Sequence, residues 1–192
     1  VTVVIGLDLS LTSTGIAVID TATGDTTVER IVSKGKKDAT LDERRNRLLQ
    51  LQYAVQTSIT KAHEMTEVNS VPLIVIEQPA FSRQTGHMHD RSGLWWLVVS
   101  HAGKWYHVAE VSPTTRAKYA TGKGNAGKDA VLAAVVRRYP QVEVTGNDEA
   151  DSLILAAIGA RHLGAPIEDS LPQAHLAAMD AVRWPELTGG TR

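Results

Sequence analysis

A chain of 192 residues, 43% of them hydrophobic, is long enough for one domain with a real core and excludes a disordered composition. It has no cysteine, which excludes disulfides, zinc–thiolate sites and cysteine nucleophiles. The formal net charge of −1 is low for a nucleic-acid binder, but it is unevenly spread: over residues 112–138, Arg116, Lys118, Lys123, Lys128, Arg137 and Arg138 face Asp129 alone, giving +5 there and −6 elsewhere. On charge alone, a solvated helix face explains that cluster equally well. No apolar run approaches ~20 residues, so no membrane helix is expected. The apolar start is too short and uncharged for a signal peptide, and a cytoplasmic protein is expected.

The β-branched run 2–7 reads as a buried strand ended by Asp8. Leu9 to Thr14 form a polar turn, and Gly15 to Ile19 read as the returning strand. A Gly24-Asp25 turn leads into a third strand, Thr26 to Ser33, which completes an antiparallel meander. From Leu41 to about Met65, Leu48, Leu51, Tyr53, Val55 and Ile59 are read as apolar residues at helical spacing. After Pro72 a strand runs to Glu77, and Gln78-Pro79 break it. The polar, Gly/His-rich stretch 82–91 reads as a loop, and Gly93 to Ala102 as an apolar helix. Trp105 to Val111 form a strand stopped by Ser112-Pro113. A short helix 114–119, a Gly-rich loop 121–127, a helix 128–139 and a helix from Asn147 or Asp148 to His162 follow. The order βββ-α-β-α-β, followed by helices, describes an α/β fold: a mixed five-stranded sheet, its first three strands antiparallel, flanked by helices. Residues 1–165 read as one domain and 166–192 as a tail with a short helix, Pro172 to Val182.

Four acids stand out by position. Asp8 and Glu77 end buried strands, where open α/β sheets bind ligands. Asp148 and Asp151, three apart at a helix start, share a face. Each alone has an ordinary explanation: a turn aspartate, a solvated glutamate, acids that complement a helix dipole. Gathered together they would repel, and only cations would stabilise the cluster. An all-oxygen set points to Mg²⁺ or Mn²⁺, and paired ions of that kind cleave phosphodiesters.

At these residues the chain resembles the RuvC family of Holliday-junction resolvases. The matching pieces are Gly6-Leu-Asp8-Leu-Ser-Leu-Thr-Ser-Thr-Gly15, Ile76-Glu77-Gln78, Gly124-Asn-Ala-Gly-Lys128 and Asp148-Glu-Ala-Asp151-Ser-Leu, in the family's order from residue 1 to about 163. The resemblance implies a ribonuclease H-like fold, a homodimer and metal-dependent paired nicking of four-way DNA. It places Asp8, Glu77, Asp148 and Asp151 on the metal-binding quartet, with two ions per site. It places Lys128 near the scissile phosphate, and Lys118 one residue from another functional lysine. Phe81 sits one position later than the family's base-contacting aromatic, and a core phenylalanine is as good a reading. Leu9 stands where the family usually has proline. The segment after Gly164, with Trp184-Pro185, is similar to the tail of phage and actinobacterial members, for which the location would be the host cytoplasm.

From the positive segment, Arg116, Lys118 and Lys123 are expected to track DNA phosphates. The helix 93–102 is expected at the dimer interface by resemblance, or in the core of one chain. Three other readings stay open. An actin-like ATPase shares the first Asp-turn-Gly hairpin but needs a second phosphate hairpin, absent from this sequence. A junction-binding module without catalysis would not need all four acids. A nuclease of the same fold acting on other branched DNA or on RNA–DNA hybrids would use the same carboxylates.

Overall fold

The computed structural model describes residues 3–66, 70–79 and 87–187. Its sheet has the order β3-β2-β1-β4-β5, formed by β1 (Val3–Asp8), β2 (Ser13–Asp20), β3 (Thr26–Val32), β4 (Leu73–Glu77) and β5 (His107–Val111). As the alternation of polar turns predicts, β1 and β2 and then β2 and β3 pair antiparallel. The later strands, reached through helices, pair parallel: β4 on β1 and β5 on β4.

The period-two alternation of these strands sorts their side chains into two cores. On one face, Ile5, Leu7, Ile74 and Ile76 pack with α1 (Leu41–Glu64) and α2 (Met88–Ala102). On the other, Val4, Leu73 and Val75 pack with α5 (Asn147–His162), α4 (Lys128–Arg138) and α3 (Pro113–Thr121). Helix α1 starts at a reciprocal cap: the Glu43 amide donates to the Thr40 hydroxyl at 3.2 Å, and the Thr40 amide to the Glu43 carboxylate at 2.7 Å. Helix α5 is buried along almost its whole length from Glu149 to Ala160, as its run of Ala, Leu and Ile requires.

Close approach of α5 depends on two glycines. A Cβ on Gly15 would lie 2.0 Å from the Asp148 carbonyl oxygen, and one on Gly6 would lie 2.1 Å from the Ser152 carbonyl oxygen. Both strands therefore meet the helix backbone with no side chain between them.

Several boundaries differ from the sequence reading. Helix α2 begins at Met88, not Gly93, because Asp90 is held by Arg44 of α1 in a two-point ion pair. Strand β5 begins at His107, not Trp105, which is exposed in the preceding turn. The expected helix 172–182 divides into α6 (Gln173–Leu176) and a 3₁₀ turn, Met179–Ala181. This C-terminal segment lies against the main core: Ala178 and Val182 are buried in it, and Ile167, Leu171 and Trp184 pack on it. Glu168 is buried beside Arg161, 3.0 Å away, and the Trp184 ring stacks on His162 at 3.8 Å. Arg183 bridges to Glu110 at the free edge of β5.

Candidate functional site

Strand parity brings the first two acids together. Leu7 and Ile76 are register partners on neighbouring strands and both face the α1/α2 side. The next residues, Asp8 and Glu77, therefore both face α5, on strands ~4.8 Å apart. Directly above lies the first turn of α5, seated on Gly15, which is itself the register partner of Asp8. Asp148 and Asp151 enter the same space from there. Glu149, between them, turns away and caps its own helix, accepting from the amides of Thr145 at 2.6 Å and Gly146 at 3.0 Å.

The electrostatics record this gathering. Burial pushes the Asp8 carboxyl up to about 8, with the charges of Glu77, Asp151 and Asp148 adding and that of Arg116 opposing. Burial also raises Asp151 to about 6, against the attraction of Arg116 and Lys128. Such a pocket holds more acidic than basic groups, and its potential metal donors are all carboxylate oxygens. That set fits hard divalent cations such as Mg²⁺ or Mn²⁺. Among the described residues, no three acidic or histidine side chains yet lie close enough to share an ion.

Arg116 requires a correction to the sequence reading. It does not reach outward to DNA phosphates. The residue is only 6% exposed; its Nε donates to Glu77 and its Nη1 to Asp151, inside the carboxylate pocket. The reason lies in α3, whose start is fixed by the Ser112 hydroxyl accepting from the Thr115 amide at 3.1 Å, and whose residues 115–117 are buried. One turn into a buried helix, the guanidinium can reach only inward. Lys118 on the same helix is half-buried, and Lys123 and Lys128 are exposed. Lys128 opens α4, and its charge acts on Asp151. Phe81 lies outside the described residues.

Two supporting features were not anticipated. The Trp95 indole N–H donates to the Glu77 carbonyl at 2.9 Å and pins the end of β4. A cleft of about 840 Å³ opens beside the turn after Asp8, lined by Ser10, Thr12, Lys34, Lys36 and Lys37. The Lys34-Gly-Lys-Lys37 run was its legible signal. The turn itself is ordered by Thr14, whose hydroxyl donates to the Ser10 carbonyl at 2.9 Å and accepts from its amide at 3.1 Å. In α2, Leu94, Val98 and Ala102 are buried in the chain's own core, whereas Trp96 is 61% exposed.

This fold has solved counterparts. The chain superposes on Thermus thermophilus RuvC with a TM-score of 0.61 and 18% identity, covering 85% of this chain and 97% of that one. The fold is that of RuvC. T. thermophilus RuvC in complex with a Holliday junction substrate matches the RuvC-fold chain described here with a TM-score of 0.60 at 17% identity, over 86% of this chain and 98% of that one. Fowlpox virus resolvase, in complex with substrate Holliday junction DNA, matches with a TM-score of 0.50 at 12% identity, over 84% and 98%. No protein-family model and no curated protein sequence matches the chain. Among the described residues, no helix is long and apolar enough to cross a membrane.

Proposed function

We propose that this chain is a metal-dependent endonuclease that resolves four-way DNA junctions by paired nicks. The observation that carries this reading is the gathering of Asp8, Glu77, Asp148 and Asp151 at one end of a RuvC-fold sheet, where four acids outnumber the cations near them. The four carboxylates would hold two Mg²⁺ or Mn²⁺ ions in the working complex. Bound there, such ions supply a more acidic water and offset charge on the phosphate undergoing in-line displacement.

The chain's own residues do the rest. Asp8, between the strand and helix acids, aligns the pocket with the cleft at the Ser10–Thr14 turn. Lys128, exposed beside Asp151, stabilises negative charge developing on the scissile phosphate. Lys118, Lys123 and the Lys34–Lys37 run hold the flanking phosphates, so affinity should fall with salt. A homodimer formed through the outer face of helix 93–102, around exposed Trp96, would present two sites to two strands. In this reading the chain acts in the cytoplasm.

Asp8→Asn tests the reading: it should bind a four-way junction as wild type does and lose Mg²⁺-dependent nicking. Unimpaired nicking would remove Asp8 from the chemistry. Parallel assays on three-way, flap and RNA–DNA hybrid substrates decide the substrate class. A strictly monomeric protein in light scattering would rule out the paired arrangement.

A further inference from the structure

The pocket that would hold metal already contains a cation of the protein's own. We propose that Arg116 stands in for one of the two metal ions while DNA is absent, so that the free chain takes a single ion and the second enters only with substrate. This rests on the metal-nuclease reading above and adds an order of filling to it.

Three observations carry the inference. First, the planar guanidinium spans Glu77 and Asp151, donating to one oxygen of each. A fork of this kind bridges two carboxylates as a divalent ion would. Second, Arg116 is built in. Its helix α3 follows directly from β5, where Val111 is the register partner of Glu77. Thr115, Ala117, Tyr119 and Ala120 are buried around it. The side chain is itself only 6% exposed, and arginine cannot shed its charge. Third, the charges balance. With all four carboxylates ionised, as metal binding requires, Arg116 within the pocket and Lys128 at its rim leave two negative charges. One divalent ion neutralises these. A second becomes favourable only when a phosphate brings further negative charge.

The experiment is a Mn²⁺ titration of the DNA-free full chain, followed by electron paramagnetic resonance of the unbound ion. Wild type should take one Mn²⁺ per chain. Arg116→Gln should take two, the second bound roughly tenfold or more tighter than any second ion in wild type. Two tight ions in wild type would overturn the inference and leave the nuclease reading standing. One ion in both proteins would likewise overturn it. No ion in either would sink both.

If Arg116→Gln fails to fold, nitrogen-15 spectra of wild type decide. The Arg116 Nε–H, assigned with Arg116→Lys, should stay protected from exchange at saturating Mg²⁺. Its release to the position of a free arginine would show that metal displaces it, against the proposal.

Discussion

The most exacting consequence of this architecture concerns Gly15, a residue that touches no substrate. In Gly15→Ala the new methyl would start 2.0 Å from the Asp148 carbonyl oxygen, against 3.4 Å for an ordinary contact. The far side of the clash is helix backbone, so no side chain can swing away. The start of α5 must recede by roughly 1.4 Å, or β2 must bend by as much, at a cost of about 3 kcal/mol, the upper end of the usual overpacking range. The same displacement carries Asp148 and Asp151 away from Asp8. A shift of about 1 Å at a reacting centre costs ~100-fold in rate. The variant should therefore unfold at a lower urea concentration, bind Mn²⁺ more weakly and nick junctions ~100-fold more slowly. Gly127→Ala is the control, since a Cβ there meets nothing within 4 Å and should change stability by less than about 1 kcal/mol. A Gly15→Ala protein with wild-type stability and nicking would refute the claim that bare backbone contact sets the site.

Two further outcomes follow from groups already described. Asp8 and Asp151 are held above their ordinary range, to about 8 and about 6, so the folded metal-free chain binds protons more tightly than the unfolded one. These groups thus erode stability as pH rises from about 4 through 8, and divalent metal should restore it. In thermal melts, the gain in Tm from Mg²⁺ should grow between pH 6 and 8, and a gain independent of pH would contradict the burial of these acids. At the other end of the molecule, Arg161→Met leaves the buried Glu168 carboxylate without its cation. Urea denaturation should show a loss of about 3 kcal/mol, partly recovered when Glu168→Leu is added, because an apolar pair carries no stranded charge. No loss in the single variant would mean that this ion pair does not fasten the C-terminal segment.

Much of this was legible in the chain itself. The meander, the parallel strands and the four acids follow from period-two alternation and from breaks at Asp8 and Glu77, because a buried strand has few alternatives to an apolar run. Asp148 and Asp151 could be paired by spacing alone. Arg116 could not be placed. Its neighbours Thr114, Thr115 and Lys118 are polar, and with Lys123 and Lys128 further on the segment reads as a solvated basic face. Only the packing of α3 against α4, α5 and α6 shows that this side chain points inward. The start of α2 was obscured similarly, since its first turn is polar and is secured by Arg44, far away in sequence. Trp95 looked like an apolar residue of the helix; that its N–H restrains the strand carrying Glu77 is visible only in three dimensions.

The Glu110–Arg183 bridge has a bearing on how such a sheet avoids its own kind. A five-stranded sheet has two open margins, each offering unpaired backbone groups to a stray strand. At the β5 margin the returning C-terminal segment occupies part of that template. Among the described residues, β3 at the opposite margin has no such cover, and its exposed positions are Thr27, Glu29, Arg30 and Val32. A charged pair of opposite sign is a poor guest for an indiscriminate partner. Loss of the C-terminal segment would therefore uncover the more apolar margin, and self-association through β5 would be the first sign of it.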